Sequence, residues 1–412
     1  MTPPSPPPPP PPLPRSRAAF VPCSGESWRD PYPMYAALRD EDPLHHVQDG
    51  DYWVLSRFAD VSAALRDPEV YSSRQGLTFT YGDMKAIGLD AATPMVMLDP
   101  PEHTDFRKLI TKGYTPRRVA AVEPDIRRFV RARLDHLDEL AEQSGKAEVD
   151  LISGLFKPLP SFVVARYLGV DEADRARFDD WTEQIVAANA QGDPLGATEA
   201  VSGLFGHFTQ LIERRRAAPA DDTVSDLIQV MGDDEASLLR ILGFAFTMVA
   251  GGNDTTTGLL GTAAELLTAH PELRQALAAR PEEVPRAVEE FLRLATPVQA
   301  LARTVTRDVT LHGATVPAGR KVLLLYGSAN RDPREFGPTA DVPDTGRTHR
   351  QHAAFGFGPH HCLGAAAARL QARVALEELL TRFPEFTVDA ARGTFAGGSF
   401  VRRYASLPGT LT

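Results

Sequence analysis

The stretch from Glu235 to Ala269 contains no proline and is mostly apolar. As one helix it would run for about 50 Å at 1.5 Å per residue. A helix that is apolar all round belongs in an interior, so the rest of the chain has to be wrapped around this one. Its centre reads Gly251-Gly252-Asn253-Asp254-Thr255-Thr256-Thr257-Gly258. These eight poor helix formers together cost roughly 6 kcal/mol relative to alanine. Glycines let a flat ligand and a small molecule approach backbone closely. Asp254 and Thr255 can hydrogen-bond locally, freeing carbonyls and opening a groove. A simple helix kink is the plain structural alternative.

A second stretch points the same way. Phe355-Gly356-Phe357-Gly358-Pro359-His360-His361-Cys362-Leu363-Gly364 bends through glycines and a proline, then enters a helix start at Ala365. That puts a sulfur at a helix N-terminus, where free N–H groups and the dipole favour a thiolate. A thiolate there is a nucleophile, with His360 or His361 as its base, or a metal ligand. Phe355 and the glycines suggest a flat apolar partner, and a haem iron held by one cysteine meets both demands.

The pattern Phe-x-x-Gly-x-x-x-Cys-x-Gly, here Phe355, Gly358, Cys362 and Gly364, resembles the haem-binding loop of the cytochrome P450 family of haem-thiolate monooxygenases. Gly-Gly-x-Asp-Thr, at Gly251 to Thr255, resembles that family's oxygen-activation motif. His103 and Arg107, four apart on one helix face, resemble the His-x-x-x-Arg pair that binds haem propionates in bacterial members. Without the resemblance they read as a solvated charged face. Glu290 and Arg293 resemble the Glu-x-x-Arg structural lock, and by spacing alone are an ordinary surface pair. Arg303 falls where the family places another propionate ligand, and His360 where it uses a histidine or arginine for the same purpose.

Composition is consistent with a soluble catalyst. There are 44 Lys and Arg against 54 Asp and Glu, a net charge of −10, which argues against a nucleic-acid binder. Two distant cysteines, Cys23 and Cys362, make no disulfide framework, so a reducing, cytoplasmic setting is expected. No apolar run spans a bilayer, and the N-terminus lacks the pattern of a signal peptide. Residues Met1 to Pro14 hold ten prolines. They read as an extended tail, with a ligand for a proline-binding module as the alternative. Residues 1–20 are therefore set apart from a single domain over 21–412.

The remaining chain alternates helical and irregular patterns. Leu44 to Leu55 reads as a hairpin turning at Asp49-Gly50-Asp51, and Phe58 to Leu65 as a short helix. Ser72 to Met97 carries Leu77, Phe79, Tyr81, Met84, Ile87, Met95 and Met97 without periodicity, as a binding wall or a loop packed on the core. Asp99 is placed to cap the helix that follows. Helices are expected over Pro124 to Glu142, Asp150 to Leu168, Glu172 to Ala188 and Ala200 to Arg216. By the resemblance, the helices around the break at Gln191 to Gly196 would form a movable roof. Helices are also expected over Glu282 to Leu294 and Leu363 to Phe383. Short strands lie between Ala302 and Leu325, and a hairpin over Ser399 to Leu407 has a tip near Phe400 that reaches the cavity. The loop Phe336 to Asp344 departs from the family, whose arginine for the Glu-Arg lock is missing there. Arg347 and Arg350 are the candidate substitutes.

The resemblance implies a mainly α cytochrome P450 fold, a helix-rich triangular prism with small β-sheets. It implies a haem b bound through Cys362 and insertion of one atom of O2, by hydroxylation or epoxidation, into an apolar small molecule such as a sterol, terpenoid or polyketide. Thr255 would hydrogen-bond the oxygen being activated and Asp254 would help deliver protons. Thr247, Ala250, Gly251, Gln299 and Leu301 would line the substrate pocket. Electrons would pass from NAD(P)H through a separate ferredoxin reductase and ferredoxin, docking near Lys108, Lys112, Arg117 and Arg118. A peroxide-driven haem enzyme, a haem-thiolate sensor and a cysteine hydrolase are the rival readings.

Overall fold

The computed structural model describes residues 18–81, 93–111, 115–144, 148–191, 194–232, 234–348 and 351–412. Most of the proline-rich tail, Met84 and Ile87 of the irregular loop, Lys112 and Arg350 lie outside the described residues.

Five helices position the site: α1 (Glu102–Thr111), α2 (Pro158–Leu168), α3 (Glu235–Ala269), α4 (Val284–Ala295) and α5 (Ala365–Arg382). The long helix α3 is unbroken over 35 residues. Asp234 caps its start, accepting the Ser237 N–H at 2.7 Å. Helical structure continues through its weak centre. Hydroxyls and an amide bond back one turn: Thr255 Oγ1 to the Gly251 carbonyl at 3.0 Å, Thr257 Oγ1 to the Asn253 carbonyl at 3.0 Å, and Asn253 Nδ2 to the Val249 carbonyl at 2.7 Å. These bonds leave the ladder continuous while placing polar atoms along it. Leu259, Leu260, Ala263, Ala264 and Leu267 at the C-terminal half are fully buried in the main core, with Phe291 of α4 and Val374, Ala375 and Leu379 of α5.

A five-stranded sheet flanks the helices. Its members are β1 (Leu44–Val47), β2 (Tyr52–Leu55), β3 (Tyr71–Ser72), β4 (Ala300–Val305) and β5 (Lys321–Leu325), in the order β1-β2-β5-β4-β3. β2 runs parallel to β5 with Tyr52 opposite Lys321, and the other pairs are antiparallel. The expected hairpin turns at Gly50 and Asp51, both at positive φ. A helix at Phe58–Arg66 packs on this sheet.

Several local expectations change. Asp150 does not start a helix; it ends the strand Glu148–Asp150, and a π-turn at Ile152–Phe156 precedes α2. Helices at Thr223–Met231 and Pro271–Ala279, each of nine residues, are additional elements. Asp99 does not cap α1 with its side chain. Its carboxylate accepts the Ser72 hydroxyl at 2.5 Å and the Ser73 N–H at 2.8 Å. Phe400 turns away from the cavity, its ring 5.6 Å from that of Phe79 in a separate apolar cluster under the sheet.

The segment Arg402-Arg403 crosses α3 at Gly258. A Cβ at that position would sit 2.6 Å from the Arg402 carbonyl oxygen. Gly258→Ala is therefore expected to push the crossing segment off the helix, costing about 1–3 kcal/mol in equilibrium chemical unfolding.

Candidate functional site

A cavity of about 290 Å³ opens where α3, α1, α2, β4 and the Cys362 loop meet. The α3 residues on it are Phe244, Thr247, Met248, Gly251, Gly252, Thr255, Thr256 and Leu259. This is one stripe of the helix, advancing by three and four. Thr247, Gly251 and Thr255 lie on it as expected. Ala250 does not, because it sits one turn before Asp254 and shares that residue's face, not Thr255's. Asp254 itself lies at the edge of the stripe and pairs outward, its Oδ1 2.7 Å from Nε of Arg403. Burial raises the Asp254 pKa, and the Arg403 charge opposes that rise. Sequence reasoning missed Arg403, which reaches Asp254 only because the final segment crosses α3 at Gly258.

Gln299 also leaves the predicted wall. It is fully buried, and its Nε2 donates to the carbonyls of Ala295 at 3.0 Å and Thr296 at 2.7 Å. Those carbonyls are orphans at the C-terminal end of α4, and the amide satisfies them. Val298, Leu301 and Arg303 form this part of the wall instead. The irregular loop contributes Leu77, Met95 and Val96, and α2 contributes Val163, Val164 and Tyr167. Both readings of the loop thus hold, since Phe79 stacks on Tyr52 at 4.9 Å and belongs to the core.

Cys362 is a free cysteine that opens onto the cavity. Its backbone N–H donates to the Phe355 carbonyl at 2.9 Å. Burial raises its thiol pKa, against a lowering hydrogen bond from Gly364 and the charges of Arg107 and Arg369. A bound metal cation would restore the thiolate. Phe355 and Gly364 line the cavity, whereas Gly358 does not. Gly358 has φ of +67°, and a Cβ there would meet the Leu65 carbonyl at 2.6 Å. It lets the loop press on the Phe58–Arg66 helix, which fixes the height of the sulfur.

Beside Cys362 the cavity gathers His103, Arg107, Arg303 and His360. The His103 and His360 rings lie 4.1 Å apart. Arg107 Nη1 donates to the Pro359 carbonyl at 3.1 Å, Arg303 Nη1 to the Ala302 carbonyl at 2.8 Å, and His360 Nε2 lies 3.3 Å from Ser73 Oγ. Neither ring nitrogen of the buried His103 has a hydrogen-bond partner. Burial, then the Arg107 charge, lowers the His103 pKa. Burial, followed by Arg303, His103 and Arg107, drives that of His360 from 6.5 to about 3. Among the described residues none of the four is ion-paired. Such a cluster of buried donors without a carboxylate fits a ligand that carries two carboxylates on a flat apolar body, and a haem is such a ligand.

Across the sequence, a cytochrome P450 family model matches residues 7–392. This chain belongs to the cytochrome P450 family. It is similar to cytochrome P450 130 of Mycobacterium tuberculosis, at 54% identity over 402 residues covering 95% of this chain and 98% of the relative. It is 35% identical to a vitamin D(3) 25-hydroxylase of Pseudonocardia autotrophica, over 94% of this chain and 95% of that one. Among solved structures, CYP109E1 from Bacillus megaterium in complex with testosterone superposes with a TM-score of 0.81 at 30% identity, covering 93% of this chain and 99% of that chain. Membership makes this P450 a monooxygenase that uses haem and O2, with the mainly helical fold of its relatives. Among the described residues, no helix is long and apolar enough to cross a membrane.

The departing loop resolves within the P450 lock. Arg293 pairs with Glu290 at 2.6 Å, both nearly fully buried, and Arg347 Nε takes Glu290 Oε1 at 3.2 Å. Arg347 is thus the third member. Arg293 also donates to the carbonyls of Asn330 and Ala340 at 2.7 and 2.6 Å, so the pair is interior, not a surface bridge. Removing one partner of such a pair strands the other, and Glu290→Ala is expected to cost roughly 3–5 kcal/mol in chemical unfolding.

A pH dependence follows from the donor cluster. His103 and His360 have lowered pKa values in the fold, so below about 6.5 the unfolded chain binds protons that the folded chain does not. Haem-free protein should lose stability as pH falls from about 6.5 towards 3. Haem-loaded protein should show a flatter profile, because an anion offsets the charging of both rings. Unfolding of both forms across this range checks it.

Proposed function

We propose that this P450 hydroxylates or epoxidises a neutral, apolar small molecule of steroid-like bulk, with electrons delivered by a separate ferredoxin. The observation that carries this reading is the split character of the cavity. Its charged lining residues are His103, Arg107, Arg303 and His360, all grouped near the Cys362 loop. The remaining wall is mainly Leu77, Met95, Val163, Val164, Phe244, Met248, Leu259 and Leu301, softened by threonines and Tyr167. A guest there gains from apolar burial and meets no charge partner. The activity in the name of the vitamin D(3) 25-hydroxylase, and the testosterone bound in the CYP109E1 structure, involve molecules of the same chemical kind.

In this reading Cys362 Sγ would bind the haem iron. The N–H groups of His103, Arg107, Arg303 and His360 would hold the two haem carboxylates, with Phe355 and Gly364 beside the ring. The haem supplies thiolate-backed activation of dioxygen. Thr255 Oγ1 faces the cavity while donating to the Gly251 carbonyl. Exchanging that bond for one into the cavity lets the hydroxyl donate at the reacting oxygen. Asp254 takes up the next proton and passes it inward, with Arg403 holding its carboxylate at the helix edge. The acid–alcohol pair favours oxygen activation over peroxide-driven turnover.

In this reading a separate ferredoxin supplies the electrons. The proposed dock is narrower than the sequence suggests. Lys108 is paired with Asp105, and Arg118 with Asp221 and Asp226. Arg117 is exposed, leaving it as the charge on this face to test first.

Cys362→Ser is expected to abolish the thiolate-type band in the carbon-monoxide difference spectrum. Thr255→Ala should keep haem but lower product per NAD(P)H several-fold, with the balance appearing as hydrogen peroxide; unchanged coupling would sink the role given to Thr255. For the substrate class, steroids should shift the haem from low to high spin while charged fatty acids of similar size do not. The opposite ranking would reject the neutral-guest reading.

A further inference from the structure

Glu289, His352 and Arg369 form a cluster beside the thiol loop that the monooxygenase reading leaves without a role. Glu289 lies on α4 directly before the lock residue Glu290. Its carboxylate receives two bonds from Arg369 of α5, Nε to Oε1 at 2.5 Å and Nη2 to Oε2 at 2.9 Å. This is the bidentate fork geometry that fixes a guanidinium in one plane. His352 Nε2 lies 3.3 Å from Oε2, and His352 Nδ1 accepts the Ala354 N–H at 3.3 Å. The proton offered to Glu289 is therefore the one on Nε2. Burial would raise the Glu289 pKa, but the bonds from His352 and Arg369 outweigh it and hold the carboxyl at about 2.

The plane so fixed faces the cysteine loop. The Arg369 guanidinium centre lies 4.6 Å from the centroid of Phe355. The Phe355 ring lines the cavity, and its carbonyl accepts the Cys362 N–H. A single side chain thus carries a fixed positive charge, a stacking contact on the ring beside the sulfur, and a tether to α4.

We propose that Arg369 is a positioning residue that sets how strongly the Cys362 thiolate donates to the haem iron, with Glu289 orienting it and offsetting part of its charge. This rests on the haem-thiolate reading of the cavity. A positive charge near the sulfur holds electron density there and favours the reduced centre, to which an electron has been added. The midpoint potential therefore rises with net positive charge at this cluster and falls when it is removed.

The test is spectroelectrochemical titration of the purified, haem-loaded full chain as wild type, Arg369→Gln, Arg369→Lys and Glu289→Gln. Arg369→Gln should move the midpoint negative and Glu289→Gln should move it positive, while Arg369→Lys stays near wild type. Opposite signs from the two partners of one ion pair are not produced by loosened packing. Shifts of the same sign, or none, with haem content retained, overturn the proposal. If Arg369→Gln does not load haem, Glu289→Gln decides alone, and an unmoved or negative midpoint overturns it. A wild-type protein without a thiolate-type carbon-monoxide band would instead sink the haem-thiolate reading, whereas a normal band with unmoved potentials sinks only the role of Arg369.

Discussion

The structure depends on an imbalance of charge beside Cys362. Two histidines and two arginines are drawn into one partly desolvated corner, and among the described residues none of the four is ion-paired with a carboxylate. Burial holds His103 and His360 neutral, and Arg107 is disfavoured by the same burial. Such a corner is costly unless an anion occupies it. Its counterpart is the thiol of Cys362, whose pKa burial also raises. A ligand that brings carboxylates to one and a metal cation to the other relieves both at once. The four side chains come from α1, β4 and the cysteine loop, so the whole scaffold serves to hold them together.

Above that corner, α3 divides its labour by face. The stripe through Thr247, Gly251 and Thr255 looks into the cavity, and from Gly251 to Thr256 its residues are small or bear hydroxyls. Asp254 stands at the edge and is neutralised from outside by Arg403. A carboxylate turned fully into an apolar cavity would have no partner and would protonate. Held at the edge, it remains in contact with charge outside and with Thr255 next to it in sequence. The continuous ladder of α3 keeps these positions fixed, which a kinked helix would not.

The elements legible in the sequence were those with long periodicity or strong punctuation: α3, α5, the hairpin at Gly50 and the short strands from Ala300 to Leu325. The helices at Thr223–Met231 and Pro271–Ala279 were not, though each is as long as the legible helix at Phe58–Arg66. Within the site, Cys362, Thr255, His103, Arg107, Arg303 and His360 were readable by motif, and the structure gathers all six on one cavity. Ala250 and Gln299 were misassigned for local geometric reasons. The first was phased on Asp254 when the cavity stripe is phased on Thr255. The second was placed on the cavity wall beside Leu301, but its side chain turns back and its amide answers the carbonyls ending α4. Gly358 was taken for a ligand contact, and proved to be a contact between two pieces of backbone.

The sequence by itself determined the chemistry available to this protein. A lone cysteine after a glycine-rich bend and an acid–alcohol pair in a buried helix admit few uses, because residue type and spacing along one element are local properties. Tertiary structure alone decided which groups meet across elements. Arg403 reaches Asp254 from a segment more than a hundred residues away in sequence, Arg347 closes the lock on Glu290, and Arg369 is turned towards the cysteine loop by Glu289. Ion pairs of this kind leave no periodic trace in a chain, since their geometry is fixed by how helices cross and where a missing Cβ lets backbones touch.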